Sequence, residues 1–537
     1  MEDARLNLAL YTAGAIILYY AVRFFYLGYQ VRTRSRNLPG PPHSWLWGHL
    51  HHFPTVLKKF PRDVPPTSAM VQLGIDHSLS EFFFMDLWPF GNLSLVTMGP
   101  RGAEQFTSVS SQPKAPVVVD YIECVGGRHN LVVDDGPRWK TWRAAFNPGF
   151  SNAHLMTLVP EIVQSTEVFK GLMGRNADEG RLFRMEKYAT RLTIDVIGKV
   201  VMDFDFNSQI KDHKVVTAFE STMRWAKLGA QIRPSELIDI RRPYVYWRNT
   251  RIMNTFVDNA LVERWRTRKE RTKSKYLIDL ALETYLKDKG KSIKDTDQLD
   301  PDFRRDAIDQ VKIFLFAGHE TSASTISYCI YHIAQDADVR QKVRSEIEHV
   351  FGKGVDVAQR IKDEPVLLNK LEYMSVVIKE VLRLHAPANS VRVGSPGFFV
   401  THQDTGEKYD VSGMDLIASV MGNHMHKSWG DPFTFRPSRW LDGTAVDGAF
   451  VAFGKLPRNC IGQELATIEI RIVLAMLLSE FDFTVHYDEL EKLKGDGSGY
   501  KSDTTGIQEM WGEVAYQQGM MAKPREGMPL RVKRRGR

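Results

Sequence analysis

Residues 453–466 read Phe-Gly-Lys-Leu-Pro-Arg-Asn-Cys-Ile-Gly-Gln-Glu-Leu-Ala. Gly454 and Pro457 bend the chain before Cys460, and the apolar run after it predicts a helix from Ile461 to Phe481. The cysteine therefore lies where a helix begins, and the free N–H groups there stabilise a thiolate. A thiolate suits iron as an axial ligand, and Arg458 is placed to meet an anionic group of the same cofactor. The alternative is a buried structural cysteine.

A second stretch, residues 317–321 (Ala-Gly-His-Glu-Thr), lies in the middle of a helix predicted from Pro301 to about Gln335. Glycine costs a helix interior about 1 kcal/mol relative to alanine, so we expect Gly318 to leave room above a flat group. Thr321 is expected to bond the carbonyl four residues earlier and to loosen the helix. Glu320, an acid in an apolar run, should be paired or functional. A harmless kink with a solvated glutamate is the alternative.

A third pattern consists of oppositely charged residues in segments whose other residues are mostly apolar and are therefore expected to be buried. Glu380 and Arg383 are three residues apart and share a helix face, where apolar neighbours predict burial. Arg439 follows in an aromatic, proline-bent segment. A buried arginine needs more than one acceptor, so we expect Glu380, Arg383 and Arg439 to form one network.

Together these segments resemble the cytochrome P450 family of haem-thiolate monooxygenases. The family pattern Phe-x-x-Gly-x-Arg-x-Cys-x-Gly is met by residues 453–462, except that Leu456 replaces a glycine, which either strains the loop or moves its bend to Gly454. The resemblance spans from near residue 38 to about residue 535, and Asn147–Ser151 is similar to membrane-anchored fungal members. The other family elements occur in the family's order: Trp139 to Arg143; Ala317, Gly318, Glu320, Thr321 and Ser322; Glu380 and Arg383; Pro437 to Arg439.

The resemblance assigns a role to each matching residue. Cys460 would bind the haem iron, Phe453 would pack near that ligand, and Glu380, Arg383 and Arg439 would be structural. Thr321, helped by Glu320, would guide protons to oxygen. The haem propionates would be met by Trp139, Arg143 and Arg458, with Arg392 as a fourth contact.

The resemblance and the sequence pattern predict a mainly α fold with a small β region, as one large P450-like domain behind an N-terminal transmembrane helix. The expected strands are short: Gly397–Val400, Leu416–Val420 and Asp482–His486. We expect residues 1–31 to be a membrane anchor, 32–60 a basic, proline-rich hinge and 61–537 the monooxygenase domain. The charged stretches Glu263–Lys275 and Lys287–Asp302 are expected at the surface.

The anchor is predicted from the uncharged, mostly apolar residues between Arg5 and Arg23. Arginines after the span favour a cytosolic location for the rest of the chain. The resemblance to membrane-anchored P450s implies a single-pass protein of the endoplasmic reticulum membrane with a cytosolic catalytic domain. A cleaved signal peptide is the alternative. Leu38-Pro39-Gly40-Pro41-Pro42 predicts a stiff connector, and three nearby histidines (His49, His51 and His52) are expected at its surface rather than in a metal site.

Composition excludes several classes of protein. Lys and Arg exceed Asp and Glu by 71 − 64 = 7 charges in 537 residues, which is mild and, without a basic aromatic patch, does not indicate nucleic acid. Hydrophobic residues are 43% and charged residues 25%, as in folded globular proteins. Three cysteines, Cys124, Cys329 and Cys460, are too few for a disulfide scaffold.

By resemblance, the reaction inserts one oxygen atom of O2 into a lipophilic substrate, with electrons from NADPH through a membrane-bound flavoprotein reductase. Lys455 and Arg458 would lie on a basic face suited to that acidic donor. The expected substrate is a polyketide or terpenoid intermediate of secondary metabolism, ahead of a fatty acid. Pocket contacts are expected from Lys114–Val133, Val215–Leu237, the helix before Ala317, Ala388–Val391 and Tyr516–Met520, while His319 should pack in the core.

Two other functions fit parts of the pattern. One is a haem-thiolate isomerase or dehydratase that needs no reductase, and the presence of Thr321 argues against it. The other is a non-enzymic haem-binding protein, which only Leu456 supports.

Overall fold

Helices make up most of the chain in this computed structural model, which describes residues 2–60, 64, 66–79, 81–226, 239–267, 276–288, 290, 299–489 and 523–536. Short 3-10 turns join several of the helices, and one π-helical turn spans Gln105–Val109. The α-helices are α1 Glu2–Ser35, α2 Phe53–Leu57, α3 Pro66–Asp76, α4 Pro100–Glu104, α5 Pro116–Gly126, α6 Gly136–Phe146, α7 Asn152–Met156, α8 Val159–Asp178, α9 Met185–Met202, α10 Lys214–Trp225, α11 Arg241–Arg266, α12 Leu277–Asp288, α13 Pro301–Gln335, α14 Ala337–Phe351, α15 Val357–Asp363, α16 Glu372–Leu384, α17 Val420–His424 and α18 Gln463–Leu478.

Helix α13 crosses the middle of the molecule and has the bounds predicted from the sequence. Asp300 caps its start by accepting hydrogen bonds from the N–H groups of Asp302 (2.9 Å) and Phe303 (3.1 Å), and Pro301 occupies the first turn. Asp336 follows the C-terminal end of α13, and its carboxylate caps the start of the next helix, α14. Helices α5, α9, α16 and α18 pack around α13, so any site at its centre is enclosed by helices on several sides.

The β region is small and lies beside the helices, as predicted. Its main sheet has the order β1-β2-β7-β4, with β2 and β7 parallel and the other neighbours antiparallel. A second sheet has the order β3-β9-β8, and β5 pairs with β6. The strands are β1 Phe82–Asp86, β2 Leu93–Thr97, β3 Phe183–Arg184, β4 Ser390–Val393, β5 Phe399–Thr401, β6 Lys408–Asp410, β7 Asp415–Ala418, β8 Phe481–Val485 and β9 Pro529–Arg534.

Helix α1 continues past the boundary at residue 31 and ends on the main sheet. Its part from Leu10 to Ser35 is long and apolar enough to span a membrane, and the most apolar window of that part is uncovered by the rest of the protein. At its end, the buried Arg32 pairs with Asp86 and donates to the Trp88 carbonyl at 3.0 Å. Ser35 Oγ donates to Asp86 Oδ2 at 2.8 Å.

The proline-rich segment is packed on the body, and the expectation for one of its histidines was wrong. His49 is 2% exposed, because its ring bonds the Pro41 carbonyl (3.0 Å) and accepts from the N–H of Asp86 (2.8 Å). His51 is exposed, as expected, and His52 is half-buried. The connector therefore joins α1 to β1 through fixed contacts.

Two other expectations changed in detail. Helix α18 is shorter at both ends than the predicted Ile461–Phe481. Arg264, expected at the surface, is buried and donates to Asp279 Oδ1 at 2.9 Å. Most of the remaining polar stretches, residues 268–275, 289 and 291–298, lie outside the described residues.

Candidate active site

Cys460 lies in a loop that the chain closes on itself. Its N–H donates to the Phe453 carbonyl at 2.7 Å, and Gly454 takes a positive φ of 68°, so the bend lies at this glycine rather than at the exposed Leu456. Gly462 is the N-cap of α18, which places Cys460 two residues before the cap. Burial raises the pKa of the Cys460 thiol, whereas the Gly462 N–H and Arg143 lower it. A bound metal ion would deprotonate such a thiol outright.

Cys460 opens into an interior cavity of about 370 Å³ between its loop and the middle of α13. The cavity wall carries Phe453, Ala317 and Thr321, and most of the remaining wall is apolar. A large apolar cavity with a few convergent polar groups is the usual form of a ligand site.

Four cationic side chains line this cavity: Lys114, Arg392, Arg458 and Lys455, of which Lys455 pairs with Glu104. Burial and the charges of the two arginines lower the pKa of Lys114 well below its ordinary value. Burial and Arg458 lower the pKa of Arg392 to about 10. The Nε of Arg392 is buried and has no hydrogen-bond partner among the described residues. Such a cluster calls for an anionic ligand, so these residues fit the propionates of a haem whose iron faces Cys460.

The structure places the other predicted haem contacts around the loop rather than on the cavity wall. Arg143 donates to the carbonyl of Asn459 at 2.9 Å and to its side chain at 3.1 Å, which fixes the residue before the cysteine. The guanidinium of Arg458 lies 4.4 Å from the centre of the Trp139 ring and donates to the Asp134 carbonyl at 2.7 Å. Trp139 and Arg143 thus support the groups that face the cavity.

Helix α13 faces the cavity with the loosened turn predicted from its sequence. Thr321 Oγ1 donates to the Ala317 carbonyl at 2.8 Å. Gly318 lines the cavity as expected, and a Cβ there would also come within 2.9 Å of Ile197 on α9. The glycine therefore allows α9 and α13 to approach each other. His319 packs in the core as expected, with its ring 5.3 Å from that of Phe219.

Glu320 is paired with a lysine and is not among the residues that line the cavity. Its Oε1 lies 2.5 Å from Nζ of Lys523, which also lies 3.4 Å from Glu186. Burial alone would raise the pKa of Glu320, but Lys523 and His319 together lower it below its ordinary value. The carboxylate is therefore ionised, and its present orientation does not support the expected direct role beside Thr321.

The predicted network around Glu380 is present and fully buried. The Glu380 carboxylate accepts from Arg383 Nη2 at 2.8 Å and from Arg439 Nε at 2.9 Å, and both arginines also donate to backbone carbonyls. All three side chains are 0% exposed. The network connects α16 to the segment that precedes the cysteine loop.

The expected basic face is not formed by the residues proposed for it. The Arg458 side chain is 7% exposed and faces the cavity. Lys455 pairs with Glu104 of α4, which neutralises its charge. The Lys455–Glu104 pair joins segments that are distant in sequence, so the order of residues alone did not reveal it.

Of the expected pocket segments, Lys114–Val133, the helix before Ala317 and Ala388–Val391 all contribute wall residues. The described part of Val215–Leu237 does not, and residues 227–238 and 516–520 lie outside the described residues. Sequence reasoning missed three charged groups: Lys114 as a third cation, Lys523 as the partner of Glu320, and Glu469 as an acid on the cavity wall. For Glu469 the signal was present, since an acid stands inside an apolar helix.

Comparison with known proteins identifies the family. Residues 39–504 match the family model for cytochrome P450. The chain is 35% identical to cytochrome P450 monooxygenase polC of Polytolypa hystricis, over 86% of this chain and 84% of that protein. It is 33% identical to cytochrome P450 monooxygenase acrF of Aspergillus aculeatus, over 89% of this chain and 99% of that protein.

A solved structure agrees on the fold. The crystal structure of a cytochrome P450 (CYP102L1) superposes with a TM-score of 0.69 at 19% identity, over 88% of this chain and 95% of that one. The family match, the two monooxygenase relatives and the cysteine facing a cation-lined cavity all agree, and the chain belongs to the cytochrome P450 family of haem-thiolate monooxygenases.

Proposed function

We propose that this monooxygenase oxidises a lipophilic intermediate of secondary metabolism, a polyketide or a terpenoid, at the endoplasmic reticulum membrane. The net reaction consumes substrate, O2, NADPH and one proton, and it yields oxidised substrate, water and NADP⁺. Haem would supply the redox chemistry of O2, and thiolate donation from Cys460 favours O–O cleavage. Phe453 borders that ligand, while Arg392 and Arg458 would hold the propionates.

The chemistry of the cavity wall is the observation that carries the substrate class. Among the uncharged polar side chains on this wall, Thr107, Thr325 and Asn389 each have a partner within the protein, while Asn423 Oδ1 has none among the described residues. Thr107 donates to the Ala103 carbonyl at 2.7 Å, Thr325 donates to the Thr321 carbonyl at 2.9 Å, and Asn389 accepts from a backbone N–H at 3.0 Å. A ligand would therefore meet mainly apolar surface, which favours a substrate made mostly of hydrocarbon.

Thr321 supports oxygen insertion rather than rearrangement. Its hydroxyl lies on the cavity wall and bonds only the Ala317 carbonyl among the described residues, so it can turn to donate to a reduced oxygen species. An enzyme that does not reduce O2 has no reduced oxygen species for this hydroxyl to protonate. The isomerase or dehydratase alternative is therefore the weaker one.

Membrane association and the redox partner belong to the same proposal. The span Leu10–Ser35 would anchor the protein as a single-pass chain, with residues 1–31 as its anchor, 32–60 as a packed connector and 61–537 as a cytosolic catalytic domain. A flavoprotein NADPH reductase in the same membrane would supply electrons. With Lys455 paired and Arg458 turned inward, its docking surface would lie on other residues.

The first test is the absorption spectrum of the reduced, CO-bound protein beside a Cys460→Ala variant. A strongly red-shifted Soret band that the variant lacks would support the thiolate assignment, and a protein that binds no haem would contradict the proposal. Titration of the oxidised protein with polyketides, terpenoids and fatty acids would then rank substrate classes by spectral shift. Product formation that requires NADPH, reductase and O2 distinguishes a monooxygenase from a reductase-independent enzyme, and a fatty acid as the best substrate would contradict the proposed class.

A further inference from the structure

Side chains of the types that bind metal ions meet outside the cavity, where the β5–β6 hairpin lies against the start of β1. Glu81 immediately precedes β1, and His402 and Asp404 stand in the turn that joins β5 to β6. One ligand atom of each side chain lies within 4.8 Å of the ligand atoms of the other two. An imidazole nitrogen and two carboxylates form a donor set that suits Zn²⁺.

The Glu81 carboxylate is buried and only partly satisfied. The residue is 7% exposed, and its Oε2 accepts from the N–H of Gln403 at 2.9 Å. Its Oε1 is buried and has no hydrogen-bond partner within the described chain. In the same described segments, no lysine or arginine forms an ion pair with Glu81, and its ion-pair partner is His402. A buried carboxylate in this position calls for a further positive charge.

The ring of His402 approaches that carboxylate without forming a hydrogen bond. Its Nδ1 is buried, lies 3.2 Å from Glu81 Oε2 and has no hydrogen-bond partner among the described residues. The ring also packs against that of Phe82, with 5.2 Å between the ring centres. Two ligands of one tetrahedral Zn²⁺, each about 2.0–2.1 Å from the ion, are about 3.3 Å apart. The observed separation therefore matches that of two ligands that share one ion.

The electrostatics of the cluster also favour a cation. Burial raises the pKa of Glu81, and the charge of Asp404 adds to this effect. The N–H of Gln403, the ring of His402 and the charge of Arg101 lower this pKa, but not enough to reverse the shift. The neighbouring positive groups thus leave the carboxylate short of charge, which a divalent cation would supply.

A comparable cluster at the surface is already satisfied by the protein. His486, Asp488 and Glu489 also bring their ligand atoms within 4.8 Å of one another. There, however, Arg531 donates to both oxygens of Glu489, at 3.1 and 2.6 Å. The ring of His486 bonds the Thr484 hydroxyl at 2.8 Å. This cluster provides a matched control for the first one.

We propose that Glu81, His402 and Asp404 bind one Zn²⁺ ion, which joins the β5–β6 hairpin to the start of β1. His402 supplies Nδ1, each carboxylate supplies one oxygen, and water completes a tetrahedral shell. The imidazole favours zinc over Mg²⁺, which prefers six oxygen ligands. The two negative charges of the carboxylates balance the charge of the ion.

The backbone of Glu81 connects this site to the cavity. Its carbonyl accepts from the N–H groups of Met98 at 2.7 Å and of Gly99 at 3.1 Å. Gly99 is the N-cap of α4, and Pro100 and Ala103 of this helix line the cavity. A metal ion that fixes Glu81 would therefore stabilise the hairpin and this part of the cavity wall together.

Zinc uptake by the full-length, haem-loaded protein, prepared without a histidine tag, tests the site. After chelation and dialysis against micromolar Zn²⁺, wild-type protein should retain one more zinc ion per haem than His402→Asn or Asp404→Asn. Asp404 is exposed, so that variant should fold normally. His486→Asn in the control cluster and His51→Asn in the connector should match the wild type. Equal uptake by the wild type and His402→Asn would overturn the proposal, and so would loss of the ion in His51→Asn instead.

X-ray absorption at the zinc edge and urea unfolding test the coordination and its effect. The spectrum should show nitrogen and oxygen ligands at about 2.0–2.1 Å, with imidazole scattering that His402→Asn lacks. Because an ion bound only by the folded protein stabilises it, Zn²⁺ should raise the urea midpoint of the wild type and of His486→Asn, but not that of His402→Asn. An all-oxygen shell or an unchanged midpoint would overturn the proposal. The site lies outside the cavity, so failure to find a polyketide or terpenoid substrate would leave it standing.

Discussion

Replacing Glu380 by glutamine should cost much of the stability of this protein. The Glu380 carboxylate accepts five hydrogen bonds, three at Oε1 (Arg383 Nη2, Arg436 N and Arg439 Nε) and two at Oε2 (Arg383 Nε and Trp440 Nε1). A glutamine keeps one acceptor oxygen and places an amide donor against the remaining donors, so at least two of the five bonds are lost. It also removes the negative charge that Glu380 places between two fully buried guanidinium groups.

Two routes give the size of this loss. Hydrogen bonds to charged groups contribute about 1.5–3 kcal/mol each, so losing two of them costs about 3–6 kcal/mol. The second route is the typical cost of removing one partner from a buried ion pair, which is about 3–5 kcal/mol. Because folded proteins are stable by only about 5–15 kcal/mol, the variant should unfold at much lower urea concentration and bind haem in low yield.

The assay is urea unfolding of the haem-loaded protein, followed by far-ultraviolet circular dichroism and by the reduced CO spectrum. Glu364→Gln is the matched control, because Glu364 pairs with Arg360 across one helical turn at 2.7 Å but the two side chains are 47% and 38% exposed. This exposed pair should contribute about 0.3–0.5 kcal/mol. Equal shifts of the unfolding midpoint in the two variants would refute the reasoning, since burial would then add nothing to the pair.

Three further predictions concern other contacts. Gly318→Ala should destabilise the protein by about 1–3 kcal/mol through its collision with α9, whereas Gly171→Ala, where space is open, should raise the urea midpoint slightly. Arg32→Met should remove the arginine beside the buried Asp86 carboxylate, which keeps its contacts with Ser35 and His43, and should loosen the end of α1. Limited proteolysis between α1 and β1 would detect this change as faster cleavage. Lys523→Met should raise the pKa of Glu320, because only burial and a weaker neighbour would then act on it. A carboxyl group with a lowered pKa in the folded state stabilises the fold at pH values above its unfolded-state pKa, and this stabilisation is lost as the pH falls through the folded-state pKa. The variant should therefore lack this loss of stability on the acid side in unfolding measurements.

The sequence predicted the contacts that depend on local spacing. The Thr321 to Ala317 bond follows from a separation of four residues in a helix, and the Glu380–Arg383 pair follows from a separation of three. The position of Cys460 follows from the loop itself, whereas the sequence left open whether Leu456 strains the loop or the bend moves to Gly454.

Contacts between distant segments were not predictable in this way. Lys523 reaches Glu320 from the far end of the chain, and Lys114 joins Arg392 only because α5 begins beside β4. The direction in which Glu320 points depends on that lysine, and the reason for Gly318 depends on how closely α9 approaches. Neither the Lys523–Glu320 contact nor the separation of α9 and α13 can be read from a single sequence.

The fixed end of α1 has a mechanical consequence. Since Arg32, Ser35 and the packed connector join this helix to β1 with several contacts, the helix and the catalytic body should turn together. A membrane-spanning helix tilts when the hydrocarbon layer is thinner than its apolar length. In a bilayer, membrane thickness would therefore set the inclination of the catalytic body and the height of its cavity above the lipid, so that lipid composition could tune how readily a dissolved substrate enters.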